Sequence, residues 1–194
     1  NNCGRNVAYH FCINGDPHTV EDRARFVANF SHKAIMGVHI NVWSGLGSYN
    51  TIRKLDLPLF IHYQKSGEKV FTHPNNAYGI SWPVLCELAG LSGADTIHAG
   101  MLGGYSSDEP VMLNQAIKNL NKYGTIPALS CGMHPGLVNH ITNDFGPNYL
   151  ANVGGALHGH PEGTEAGVMA MRQAIDRTFG REYNQAVAKW GLVE

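Results

Sequence analysis

The chain has 194 residues, 43% of them hydrophobic and 15% charged, with a formal net charge of -1; that suffices for one sizeable core and falls short of two ordinary domains. A near-neutral balance without basic runs gives no electrostatic case for nucleic acid or a membrane surface, and no apolar stretch is long enough to span a bilayer. The cysteines, Cys3, Cys12, Cys86 and Cys131, lie far apart with no CxxC pair, which argues against a zinc site or a disulfide framework and predicts a reducing, cytoplasmic setting.

Along the chain, short apolar runs alternate with stretches of helical character. "NVAYHFCI" (6–13) is rich in β-formers, and "TVEDRARFVANFS" (19–31) reads as a helix with Thr19 and Asp22 as its N-terminal cap pair. "AIMGVHINV" (34–42) is the next strand, with "GSYNTIRKLD" (47–56) as its helix. "LPLFIH" (57–62) follows, then a long polar loop and the apolar helix "SWPVLCELAGLSG" (81–93). "ADTIHAG" (94–100) precedes the clearest amphipathic helix, "DEPVMLNQAIKNLNKYG" (108–124). "TIPALS" (125–130) and "YLANVGG" (149–155) complete the strands, followed by helices at 135–146 and 164–180. Strands apolar on both faces fit a parallel sheet covered by helices. The expectation is an α/β chain, 1–194 forming one domain of about six β/α units, a partial (β/α)8 barrel; a doubly wound open sheet is the alternative.

In either architecture function gathers at the C-terminal ends of the strands. His62 ends "LPLFIH", His98 ends "ADTIH", Ser130 ends "TIPALS", and Gly154 and Gly155 follow "YLANV". A lone histidine in such a place is ordinarily a hydrogen-bonded structural residue. Two of them, a serine within "SCGMHPG" and a glycine pair on four strands together point to a phosphate-binding site. Glycine N–H groups approach an anion without side-chain bulk, although a glycine pair also serves a plain tight turn.

From "LPLFIHYQKSGEKVFTHPNNAYGI" to "RQAID" the chain resembles the large-subunit family of ribulose-bisphosphate carboxylase (RuBisCO), above all its non-carboxylating RuBisCO-like branch (form IV type). "HPGLV" and "GGxxHGHPxG" carry the likeness, and "NVAYHF" to "VWSGLG" extends it more loosely. The resemblance implies strands three to eight of that family's C-terminal barrel. It also implies a phosphate held by the backbone at Gly132, Gly154 and Gly155, substrate contacts from Ser130 and His98, and an active-site histidine at His62. His158 and His160 are expected to support the loop rather than touch substrate.

Departures from the family shape the expected activity. Gly104 stands where carboxylases carry a lysine that stabilises charge developing on CO2, so carboxylation is not expected. Tyr63 stands where they carry an arginine for a second phosphate, and Lys65 is the nearby candidate to substitute, as a point charge rather than a fork. No "KxDE" cluster is present. The Mg2+ that the resemblance implies, held through a carbamylated lysine, is therefore expected on residues upstream of Asn1, and this chain contributes no metal ligand. The expected function is Mg2+-dependent enolisation of a phosphorylated keto-sugar or keto-acid, of isomerase, enolase, decarboxylase or transcarboxylase type, in a homodimer or larger homo-oligomer. The alternatives are a true carboxylase, a barrel aldolase or epimerase, and a non-catalytic sugar-phosphate-binding barrel.

Overall fold

A computed structural model describes residues 7–30, 35–104 and 108–193. Cys3 and residues 105–107, in the loop where the family's lysine was sought, lie outside the described residues. The first half runs β1 (Ala8–Cys12), α1 (Pro17–Phe30), β2 (Ile35–Ile40), a 3-10 turn (Val42–Ser44), α2 (Gly47–Lys54), β3 (Leu59–Tyr63), α3 (Lys69–Thr72), α4 (Trp82–Leu91) and β4 (Thr96–Gly100). The second runs α5 (Pro110–Asn121), β5 (Ile126–Leu129), a 3-10 turn (Pro135–Leu137), α6 (Val138–Phe145), β6 (Leu150–Ala151), α7 (Gly154–His158), α8 (Thr164–Asp176) and α9 (Arg181–Trp190). The strands form a 6-stranded sheet in simple sequence order, β1 to β6. Neighbours pair in parallel, with Cys12 opposite His39 and His39 opposite His62. The α/β fold and its six β/α units match the sequence expectation.

The chain divides into two compact units, Asn1–His98 with Lys118–Ile126, and Ala99–Ile117 with Pro127–Glu194. In the first, period-two alternation splits the strand residues into two faces. Val38 and Ile40 of β2, Ile61 and Tyr63 of β3 and Ile97 of β4 are all buried, together with Val20, Ala24 and Val27 of α1 and Leu85, Cys86 and Ala89 of α4. Each fully buried Val, Leu or Ile among them contributes roughly 1.5–3 kcal/mol. The opposite face carries the histidines described below. Asp95 accepts from the Ile61 N–H at 2.7 Å and pairs with Arg53, tying the start of β4 to β3.

In the second unit Leu129, Met133, Leu137 and Ile141 are buried, as are Ala170, Met171 and Ala174 of α8 and Ala186 of α9. The approach of α7 to α8 depends on Gly167, where a Cβ would lie 2.7 Å from the Leu157 Cα.

Three local expectations are corrected. The cap of α1 is Asp16, whose carboxylate accepts from the N–H groups of His18 (3.0 Å) and Thr19 (3.1 Å) and from the Thr19 hydroxyl (2.6 Å). Thr19 and Asp22 do not form the cap pair, because Pro17, with φ already helical and no N–H to satisfy, starts the helix earlier. β6 is only Leu150–Ala151, and Gly154 and Gly155 open α7 rather than ending a strand. The helix expected over 164–180 stops at Asp176, where Arg177 turns left-handed at φ 55, and α9 follows as a separate helix.

Candidate active site

Parallel register brings histidines of the first unit together on the sheet face that does not meet the helices. The His10 ring centroid lies 5.1 Å from that of His62 and 5.5 Å from that of His39, and His39 and His62 are 6.2 Å apart. Gly37 makes room for this layer, since a Cβ there would enter the Phe60 ring, which itself lies 4.6 Å from His10. His62 is 4% exposed, with Nδ1 2.6 Å from the Thr96 hydroxyl. Gln64 Nε2 is 3.5 Å from Nδ1 of His98, which is also buried.

Burial, reinforced by the neighbouring His10 and His39, holds His62 down to about 3. His10, exposed on the edge strand β1, is lowered by the groups packed around its ring and by His39, and partial burial lowers His39. These rings are therefore neutral near pH 7, each with one N–H and one bare nitrogen. A neutral imidazole can hydrogen-bond a carbonyl or hydroxyl oxygen and move a proton. Among the described residues no group of three or more His, Cys, Asp or Glu is disposed to hold a metal ion.

The second unit contains a cavity of about 480 Å³, lined by Gly103, Gly104, Gly132, Gly155, His134, Asn152 and Trp190 among others. The chain leaves β5 through a sharp turn, with Cys131 at φ 74 and Gly132 at φ 119. A positive φ costs a non-glycine residue about 1–2 kcal/mol, and such strain gathers at functional sites. At Gly104 a Cβ would press on the Cys131 carbonyl oxygen and lie 3.1 Å from the Gly132 Cα, so the loops after β4 and β5 meet backbone to backbone. At Gly154 and Gly155 a Cβ would meet nothing within 4 Å. Their N–H groups lie in the first turn of α7 and lack intrahelical acceptors.

His134 forms part of the wall at 5% exposure, stacked on Trp190 with centroids 6.2 Å apart and planes 24° from parallel. Its Nδ1 has no hydrogen-bond partner among the described residues, and burial lowers its pKa. Leaving such a nitrogen unpaired costs about 1–3 kcal/mol.

Of the residues singled out from sequence, His62 and His98 fall in the first unit, near Thr96 and Gln64, and Gly132 and Gly155 both line the cavity of the second. Ser130 and Gly154 are not among its lining; Ser130 is buried, its N–H donating to Gly100 O at 3.2 Å. The Lys65 ammonium lies 4.8 Å over the Trp82 ring. Tyr63 belongs to the helix-facing core, stacked on Tyr49 at 5.8 Å, and burial raises its phenol. His158 and His160 do brace the loop: His158 bonds to Thr164, while His160 accepts from the Glu162 N–H and donates to the Glu182 carbonyl. His10, His39, His134 and Trp190 were missed. The histidines of β1 and β2 sit inside apolar runs, and only their period-two match to His62 across the register reveals them.

A parallel α/β sheet with polar residues gathered at its strand ends is the build of the phosphate-handling barrels. The chain belongs to the family of the ribulose bisphosphate carboxylase large chain, catalytic domain, which it matches over residues 1–123 and 106–191. It is 31% identical to a ribulose bisphosphate carboxylase of Pyrococcus furiosus over 207 residues, covering 96% of this chain and 48% of that protein. It is 37% identical to a 2,3-diketo-5-methylthiopentyl-1-phosphate enolase of Exiguobacterium sibiricum over 133 residues, covering 66% of this chain and 33% of that one. Its fold matches the crystal structure of a rubisco-like protein (MtnW) from Alicyclobacillus acidocaldarius with a TM-score of 0.84 at 27% identity, over 98% of this chain and 51% of that one. The chain spans about half the length of the ribulose bisphosphate carboxylase it matches. No helix among the described residues is long and apolar enough to cross a membrane.

Proposed function

We propose that this chain is the barrel portion of a RuBisCO-like enzyme that enolises a phosphorylated keto-sugar or keto-acid and does not fix CO2. The observation that carries the proposal is Gly104. A Cβ there would strike the Cys131 carbonyl oxygen, so a lysine has no place at the position where the family resemblance puts it. Without that ammonium, charge developing on CO2 loses a large stabilising term. Enolisation needs only a phosphate grip, a proton carrier and a partner for the enolate oxygen.

The backbone of Gly132 and Gly155 grips the phosphate. His98 takes the proton next to the ketone: the C–H pair becomes the C=C bond and the carbonyl pair moves onto oxygen. His62, its Nδ1 2.6 Å from the Thr96 hydroxyl, is assigned the tautomer that carries its proton on Nε2 and gives that oxygen a neutral hydrogen bond. Ser130 and Lys65 hold more distant hydroxyl or phosphate groups. Magnesium, implied by the family, would strengthen the enolate further; its ligands are proposed outside the described residues. The working form is a cytoplasmic homo-oligomer. A second reading, carboxylation of ribulose bisphosphate, is favoured by the Pyrococcus relative.

Exchange of the substrate C–H with D2O tests the proposal, using 2,3-diketo-5-methylthiopentyl-1-phosphate and ribulose bisphosphate as substrates. Exchange is expected, and His98→Ala is expected to slow it by roughly 10²- to 10⁴-fold. Fixation of labelled CO2 on ribulose bisphosphate by the unmodified protein would overturn it in favour of the second reading.

A further inference from the structure

A second cavity of the second unit, of about 390 Å³, is lined by residues of α6, β6 and α8. Its size falls within the roughly 300–1,000 Å³ of ordinary small-molecule sites. Its walls are aliphatic, with Val138, Leu150, Ala151 and Ala174 beside the thioethers of Met133 and Met171. Tyr149 is the one aromatic side chain among its described lining residues, and its hydroxyl lies 3.1 Å from that of Thr142. Methionine side chains are unbranched and polarizable, so they re-pack around a flexible hydrocarbon more readily than around a rigid ring.

Arg177 also lines this cavity. It is exposed, directly after the last turn of α8, and its side chain makes no hydrogen bond or ion pair among the described residues. The acid beside it, Asp176, is already paired with Arg172 at 3.1 Å. A long, unheld side chain carrying one permanent positive charge at the edge of an aliphatic cavity complements one chemistry, a hydrocarbon chain ending in a single carboxylate.

We propose that this cavity is a binding site for a medium-chain aliphatic carboxylate, with the hydrocarbon against Met133, Met171 and the aliphatic wall and the carboxylate paired with Arg177. Met133 also lines the glycine pocket, but the proposal stands without the phosphate role given to that pocket.

Octanoate, kept below its micelle-forming concentration, is the probe. In the chain labelled with [methyl-13C]methionine, octanoate is expected to shift the methyl lines of Met133 and Met171 saturably. The lines of Met36 on β2 and Met101 after β4 should stay in place, each line being assigned by its Met→Leu variant. From hexanoate to octanoate, binding should tighten by about threefold for each methylene buried. Arg177→Asn removes the charge and keeps a residue that accepts the left-handed backbone found there, at φ 55. It is expected to weaken octanoate by about three- to tenfold, with Arg177→Lys restoring most of the loss, and to leave the binding of uncharged octanol unchanged. Lines at Met133 and Met171 that do not respond, as when another part of the protein fills the cavity, overturn the proposal. So do shifts shared by all the methionines, which mark general association with apolar surface. Shifts confined to Met133 and Met171, with octanoate affinity unchanged in Arg177→Asn, overturn the pairing of the carboxylate with Arg177.

Discussion

Gly104 and Gly155 line the same pocket for opposite reasons. At Gly104 the missing Cβ is what lets one loop lie against the Cys131 carbonyl, whereas at Gly155 the space beyond the Cα is open. Gly104→Ala is therefore expected to lower stability by about 1–3 kcal/mol, the usual cost of overpacking a closed contact. Gly155→Ala, in the first turn of a helix, should be neutral or stabilise by up to about 1 kcal/mol. Urea unfolding of the two variants checks this, and equal midpoints would contradict the backbone contact. By the same steric argument, Gly104→Lys should damage the pocket rather than confer carboxylation. The two glycines look alike in the sequence, where each is simply a residue without a side chain in a glycine-rich loop. What separates them is the neighbour each one meets, and that neighbour lies on another strand's loop or is open space.

At the scale of elements, the strands were legible because each is an apolar run bounded by polar or glycine residues, and buried parallel strands read that way. Helix ends were less so. The α1 cap lay in "GDPHT", where Asp16 before Pro17 gives a clear physical signal, while Thr19 was read as the cap. Asp16→Ala should lower stability, since it removes the acceptor for two backbone N–H groups. Thr19→Ala should cost less, as both N–H bonds to Asp16 survive it. Chemical denaturation ranks the two, and the reverse order would return the cap to Thr19. α9 escaped notice although Tyr183 and Ala186 are buried at helical spacing. The last helix expected from sequence ends at 180, and the residues beyond it, where α9 lies, received no assignment. With α9 went Trp190, and with Trp190 the aromatic wall of the pocket.

For the whole molecule, the buried histidines set an acid limit. Among them His62 is lowered to about 3, and burial lowers His134 as well. An unfolded histidine binds its proton near pH 6.5, so below that value the unfolded chain holds more protons than the folded one. Stability is then full above about pH 6.5 and falls as pH drops toward the folded values, by about 1.4 kcal/mol per pH unit for each such proton. Urea midpoints should decline steadily from pH 7 to pH 5, and less steeply in His62→Asn; a midpoint unchanged over that interval would show that these rings are not held neutral. The pocket adds a consequence of another kind. Its lining runs from Gly103 to Trp190, so a growing chain must extend past Trp190 before the cavity can form. A phosphorylated metabolite cannot brace a nascent chain of this kind. It stabilises only a chain in which the pocket has formed, by RT ln(1 + [L]/Kd), so the abundance of a phosphorylated ligand would bear on how long folded molecules last and not on how they are made.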